Sequence, residues 1–357
     1  MDLVRKWIAD EKQNPPLATG PKSVLVLGCS GGYGLAARVV AAFGARAHTL
    51  GVSFERAPTV KRAGTPGWYN NLAFDAAAAE EGLFAETIVA DAFLDATREA
   101  VVERARERTL QPFDLVVYSL AAPQRTDPAT GVTYRSAIKP IGAPLAGQTL
   151  DVASGTLSDV TIDPATPEEI EGTVKVMGGE DWLLWIRALK EAGLLAEGAR
   201  TVAFSYIGPD STYAIYRSGT LGQAKAHLEN TAAEIGRLLE PLRGQAHVAV
   251  CKALITRASS VIPVMSAYVC AMYKVMKAKG LHEGCLEQMV RLFSERLYAG
   301  GEVPVDEQGR IRIDDWELRP DVQAEIAGIL ARVTQENLGE LTDPEGCRKD
   351  LMALYGF

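Results

Sequence analysis

Two stretches of this chain carry residues whose types and spacing suit chemistry. The first is Gly28-Cys29-Ser30-Gly31-Gly32-Tyr33-Gly34, a run with glycines at the G-x3-G-x-G spacing. Glycines there let the backbone turn tightly and approach a pyrophosphate, and a helix N-terminus behind them supplies free N–H groups. The run predicts dinucleotide binding. The second stretch is SYIGPDSTYAIYRSGTLGQAKAHLEN (205–230), which combines Tyr206, Tyr213, Tyr216 and Lys225. A tyrosine hydroxyl can donate to a developing oxyanion, and a lysine ammonium beside it lowers its pKa and can hold a ribose.

Tyr216 and Lys225 are nine positions apart. On one straight helix that separation is about 900°, which puts them on opposite faces. They converge only if the helix begins between them. Ser218-Gly219-Thr220 and Gly222 supply that break, with Thr220 expected as the N-cap. Tyr216 then lies in the approach loop and Lys225 on the first turns. Tyr206, at a strand end, is expected to make a second hydrogen bond to a substrate carbonyl. Tyr273 and Lys277 form another pair, one helical turn apart, on an apolar helix with Tyr268 and Met272. We read that pair as core packing, because it lies beyond the last expected sheet strand.

The residues that position these groups follow a regular rhythm. SVLVLG (23–28), AHTLGVSF (47–54), AETIVA (85–90), FDLVVYSLA (113–121), RTVAFSY (200–206) and AHVAVCKALIT (246–256) read as buried strands. Helical patterns at 34–44, 95–109 and about 222–242 separate them, and RAGTPGWYNN (62–71) reads as a loop. Continuous apolar strands between amphipathic helices predict a doubly wound α/β parallel sheet, Rossmann-type and covered on both faces. The second strand ends at Glu55, whose carboxylate suits ribose hydroxyls and repels a 2′-phosphate, favouring NAD over NADP. Arg56, Lys61 and Arg62 follow closely and work against that preference. Asp91 ends the third strand beside the expected adenine, and the small residues of SLAA (119–122) let the cofactor pass.

Between 122 and 178 the rhythm breaks into Pro-, Gly-, Thr- and Asp-rich runs, read as hairpins inserted over the substrate end of the sheet. After Ser259 the chain reads as mostly helical, with a buried helix over 258–273 and an extended patch at 302–316. We expect one elaborated domain over 1–357 with 122–178 as an insertion in it. The 357 residues are 47% hydrophobic, enough for a sizeable core, which excludes wholesale disorder. The formal charge of −8 argues against nucleic acid as the main partner. Five scattered cysteines without C-x-x-C read as reduced thiols, and four histidines form no zinc pattern, so no metal is expected. With no signal-peptide core and no run long enough to span a bilayer, the reading is a cytoplasmic protein.

The motifs VLVLGCSGGYGLAARV, GVSFE, GTPGWYNNLAFD, KVMGGEDW, YIGP, IYRSGTLGQAKAHLE and GRIRIDDWEL closely resemble those of the trans-2-enoyl-CoA reductase / FabV-type enoyl-ACP reductase family. They are spread over most of the chain, and Tyr-x8-Lys is that family's active-site signature. The resemblance implies NADH-dependent reduction of the 2,3 double bond of enoyl thioesters (CoA or acyl-carrier protein) in fatty acid synthesis, by a monomer. It implies Tyr216 as proton donor, Lys225 as cofactor-binding lysine and Tyr206 as substrate-contacting tyrosine. Cofactor contacts carry over to Gly28, Cys29, Ser30, Gly31, Gly32, Tyr33, Phe54, Glu55, Asp91, Ala92, Leu120, Ala121, Leu254, Ile255 and Thr256. Family members begin with a further short segment before the helix at Asp2 and continue past the Tyr355-Gly356-Phe357 at which this chain stops, which is expected to expose an edge or loosen part of the fold. The competing readings are a short-chain ketoreductase or alcohol dehydrogenase, disfavoured by the missing Tyr-x3-Lys on the expected helix, and a non-catalytic dinucleotide sensor.

Overall fold

Five consecutive apolar or small residues at 23–27 dictate a strand hidden on both faces, and β1 (Ser23–Leu27) is buried throughout. The computed structural model describes residues 2–355 apart from 257, 258, 260, 261 and 263. In chain order the next strands are β2 (His48–Ser53), β3 (Ala85–Val89) and β4 (Phe113–Tyr118). Two hairpins follow, β5 (Gln124–Thr126) with β6 (Thr133–Arg135) and β7 (Leu145–Asp151) with β8 (Thr156–Ile162). The last strands are β9 (Leu195–Ser205), β10 (Gln245–Val250) and β11 (Arg310–Arg312). Seven strands form one sheet in the order β11-β10-β9-β4-β1-β2-β3, every neighbouring pair parallel. The order reverses at β1, between β2 and β4, which puts the glycine run at the topological switch point. The expected doubly wound sheet is present.

Apolar clusters lie on both faces. One packs β1, β9 and β10 against the helices Gly32–Val39 and Cys285–Leu292. The other buries Trp182, Trp185, Ile186 and Leu189 of the helix Glu180–Glu191 with Leu228 and Ile235 of the helix Thr220–Leu239. A third cluster surrounds the helix Met265–Ala278 and takes in Leu150 of β7 and Tyr216. Among the described residues no helix is long and apolar enough to cross a membrane.

Several boundaries differ from expectation. Residues 66–71 are helical, because Pro66 occupies the first turn of the helix Pro66–Glu80, where a missing N–H costs nothing. The insertion holds the two hairpins but ends in a helix, Pro167–Met177, started by a reciprocal capping box between Thr166 and Glu169. β4 stops at Tyr118 and β10 at Val250, so Leu120, Ala121 and Leu254–Thr256 leave the sheet at its carboxyl edge. The helix expected over 258–273 runs from Met265 to Ala278; residues 258, 260, 261 and 263 of that expectation lie outside the described residues, as do Met1, Gly356 and Phe357. β11 adds a sheet strand after Tyr273, so that tyrosine does not lie beyond the last one.

Candidate active site

The glycine run turns from β1 into the helix Gly32–Val39 by close backbone contact. Gly28 has φ +87°, and a Cβ on it would sit 2.3 Å from the Ser119 carbonyl oxygen. A Cβ on Gly34 would sit 2.1 Å from the Gly28 carbonyl oxygen. Gly31 differs: among the described residues nothing lies within 4 Å of where its Cβ would be, and a Cβ on Gly32 would meet only Thr256 Cγ2 at 3.9 Å. Two glycines close the turn, and two leave an open cradle at the helix N-terminus with the 254–256 segment across it. That shape fits a dinucleotide pyrophosphate.

Of the remaining cofactor candidates, Glu55 and Thr256 meet this turn directly. Ser30 Oγ donates to Glu55 Oε1 at 2.7 Å, so the second-strand carboxylate is held against the turn. Asn70 Nδ2 donates to the Ser30 carbonyl at 3.0 Å from the helix that sequence reading made a loop. Phe54 is 80% exposed. Asp91 Oδ1 accepts from Phe93 N at 3.0 Å, which fixes the end of β3, while Ala92 is buried. Leu120 packs into the core and Ala121 is exposed. Cys29 is fully buried with its thiol turned to Arg38 and Asn71, so it contributes backbone to the turn. Tyr33 points the other way: its hydroxyl donates to the Lys252 carbonyl at 2.7 Å and its ring lies 5.8 Å from that of Phe204.

The catalytic candidates meet at the carboxyl end of β9. Lys225 Nζ donates to the Phe204 carbonyl at 3.1 Å. Two residues on, the ring of Tyr206 stands edge-on to that of Tyr216, with centroids 4.6 Å apart at 83°. Tyr216 closes a one-turn helix, Tyr213–Tyr216, and Lys225 sits in the second turn of the helix Thr220–Leu239. The break between them is steric. A Cβ on Gly219 would lie 2.5 Å from the Ala214 carbonyl oxygen, and one on Gly222 would lie 2.0 Å from that of Arg217. Gly219 is the N-cap; Thr220, expected there, is the first helical residue. Its hydroxyl instead accepts from Lys139 N at 3.1 Å and donates to the Ala137 carbonyl, pinning the inserted segment to the helix start.

Electrostatics distinguish the three groups. Burial, reinforced by the charge of Glu317, pushes the Tyr216 hydroxyl above its ordinary pKa, which keeps it a proton donor at neutral pH. Lys225 does not act on it in the expected sense, since its ammonium faces the Phe204 carbonyl. Burial lowers Lys225 to about 8, opposed by Cys251 and Glu229. Tyr206 is likewise pushed up by burial and by Glu317.

Sequence reading assigned no role to Glu317, which is fully buried. It accepts from the hydroxyls of Tyr206 and Tyr268, each at 2.8 Å, and from Ala253 N at 2.7 Å. It lay inside a quoted motif, but it is 111 residues from Tyr206, and no spacing links the two. Tyr268 also lines a cleft of about 230 Å³ with Leu145, Ile215, Met265, Ala267 and Leu330, between β7 and the helix Met265–Ala278. Tyr273 is fully buried; its hydroxyl donates to Asp350 Oδ2 at 2.7 Å and accepts from Ile255 N. Lys277 pairs with Asp343 at 2.6 Å. That second pair is structural.

A parallel sheet with an open glycine cradle after β1 and a tyrosine–lysine pair at the end of β9, two strands away, defines a Rossmann-type reductase. The chain matches the family model described as the trans-2-enoyl-CoA reductase catalytic region over residues 62–298. It also matches the NAD(P)H binding domain of trans-2-enoyl-CoA reductase over 1–60 and the enoyl reductase FAD binding domain over 305–357. It therefore belongs to the trans-2-enoyl-CoA reductase family. It is 54% identical to the trans-2-enoyl-CoA reductase [NADH] of Treponema denticola, over 95% of this chain and 85% of that one. Identity to the enoyl-[acyl-carrier-protein] reductase [NADH] of Cytophaga hutchinsonii is 52%, with the same coverage. The crystal structure of the Treponema denticola reductase in complex with NAD superposes with a TM-score of 0.93 at 52% identity, covering 100% of this chain and 88% of that one. The glycine cradle lies at 28–34, outside the segment matched by the model named for FAD.

Proposed function

We propose that this protein reduces the 2,3 double bond of trans-2-enoyl thioesters with NADH, in fatty acid synthesis, as a cytoplasmic monomer of one elaborated domain. The convergence of Tyr206, Tyr216 and Lys225 on the end of β9, beside the Gly31–Gly32 cradle, carries the reading. NADH, when bound, supplies the hydride that goes to the β-carbon of the enoyl thioester.

Gly28 to Tyr33, Phe54, Glu55, Asp91, Ala92, Leu120, Ala121 and Leu254 to Thr256 would hold the cofactor, with Lys225 on the nicotinamide ribose. Glu55 at the ribose end favours the cofactor without a 2′-phosphate. As charge moves to the thioester oxygen, the protonated Tyr216 hydroxyl donates a hydrogen bond to it, and the α-carbon then takes a proton, drawn in the end from solvent, to complete saturation. Tyr206 forms the neighbouring wall against the substrate. The cleft beside Ile215 and Tyr268 takes the acyl portion, and the inserted segment, pinned at Thr220, covers it. All five cysteines are free thiols, in keeping with a reducing compartment.

NADH oxidation with crotonyl-CoA tests the assignment, run beside a β-ketoacyl-CoA and an alcohol with NAD. Turnover is expected with the enoyl substrate. Turnover on the ketoacyl thioester with none on crotonyl-CoA would replace it by a ketoreductase.

A further inference from the structure

Glu317 reaches the site from a distant part of the chain, five residues after β11. Its carboxylate is fully buried and makes three hydrogen bonds, all accepted. Oε1 accepts from the hydroxyls of both Tyr206 and Tyr268, and Oε2 accepts from the Ala253 N–H. Tyr268 is held a second time, by Gln323 Nε2 at 3.0 Å, and Gln323 in turn donates to the Glu317 carbonyl at 2.7 Å. A carboxylate taken out of water at this depth is costly unless its oxygens are satisfied, and here they are.

A tyrosine hydroxyl has one proton. With that proton directed at Glu317 in a hydrogen bond, Tyr206 presents only lone pairs to the space it shares with Tyr216. It therefore cannot donate to a substrate oxygen while that bond is kept. We propose that Glu317 is a positioning residue of the reaction: by accepting the hydrogen bond of the Tyr206 hydroxyl it locks that ring edge-on against Tyr216 and leaves Tyr216 as the sole donor to the developing oxyanion. The inference rests on the reading of Tyr216 and Tyr206 as the pair that meets the substrate. It ties the segment after β11 to chemistry on β9.

A double-mutant cycle on the intact protein tests it, with crotonyl-CoA and NADH as substrates. Glu317→Gln keeps the shape but removes the charge, and should lower kcat about tenfold or more while the KM for NADH stays within about twofold. In a Tyr206→Phe background there is no hydroxyl to hold, so adding Glu317→Gln should cost almost nothing further. Non-additivity of this kind marks residues acting through one another, and a merely structural carboxylate would give independent, multiplying losses. Multiplying losses would overturn the proposal while leaving the enoyl reductase assignment intact. Wild-type turnover in Tyr206→Phe alone would instead overturn the reading on which the proposal rests. Thermal unfolding checks that each variant folds. Should Glu317→Gln fail to fold, Tyr268→Phe removes the second donor on the same oxygen. It should lower kcat about two- to fivefold alone and not at all in Tyr206→Phe, again with multiplying losses as the refuting result.

Discussion

The cofactor side and the substrate side of this site are built by opposite means. On the cofactor side the contacts are backbone: Gly28 and Gly34 close the turn by near approach, while Gly31 and Gly32 leave room for a ligand. The turn itself sits in one run after β1, and the other cofactor candidates follow the ends of β2, β3, β4 and β10 or, for Lys225, lie in the helix Thr220–Leu239. On the substrate side the contacts are side chains drawn from across the sequence: Tyr206, Tyr216, Tyr268 and Glu317. Such a cradle tolerates change only where a methyl group has space. A side-chain cluster of that kind depends on each hydroxyl having one assigned partner.

Changes at six positions probe this contrast. The largest effect belongs to the substrate side: Tyr216→Phe removes one hydroxyl, so NADH affinity should hold while turnover falls about 10²-fold or more. Steady-state kinetics with a fluorescence titration of NADH check both halves; loss of NADH binding instead would merge the two sides into one. Lys225 stands between them. Lys225→Met should weaken NADH binding about tenfold while single-turnover reduction at saturating NADH stays within about twofold, and Lys225→Arg should restore only part of the binding.

The same lysine carries the pH dependence. Its pKa is lowered to about 8, so the ammonium is present below that pH and lost as pH rises through it. NADH affinity should therefore fall above about pH 8, up to about tenfold per unit, and stay flat in Lys225→Arg. A flat profile in the wild type would remove the ribose contact.

Two alanines separate closing glycines from open ones. A methyl on Gly34 collides with the Gly28 carbonyl, so Gly34→Ala should lower stability by about 1–3 kcal/mol, read as a drop in Tm. Gly31→Ala meets nothing and should leave Tm unchanged while weakening NADH several-fold. Equal Tm values in the two variants would contradict the division. Glu55→Ala should narrow the preference for NADH over NADPH by a few-fold, measured as the ratio of the two kcat/KM values. The smallest effect on turnover is expected at Tyr273→Phe. It loses a buried hydroxyl bonded to Asp350, and should cost about 1 kcal/mol of stability with kcat unchanged.

Much of this was legible in the residues themselves. Strand periodicity, the G-x3-G-x-G turn and the need for a break between Tyr216 and Lys225 all follow from short-range sterics. The sheet order, the cradle and the Gly219–Gly222 break agree with them. Misreadings were local conflicts settled by capping. Pro66 and the Thr166–Glu169 box start helices in stretches whose composition suggests loops. Thr220 yielded the cap to Gly219 because its hydroxyl was claimed by the backbone of Ala137 and Lys139.

What the sequence determined alone was therefore whatever a few consecutive residues can impose: buried parallel strands, a tight glycine turn and a helix break between Tyr216 and Lys225. The partner of each hydroxyl was decided only by tertiary structure. Tyr206 meets a carboxylate 111 residues away, and Tyr273, which has the better-known spacing to a lysine, is satisfied by Asp350, 77 residues on. Local sterics act through covalent geometry and leave a pattern in the chain. Hydrogen bonds between distant elements depend on how those elements pack, and packing leaves no spacing to read.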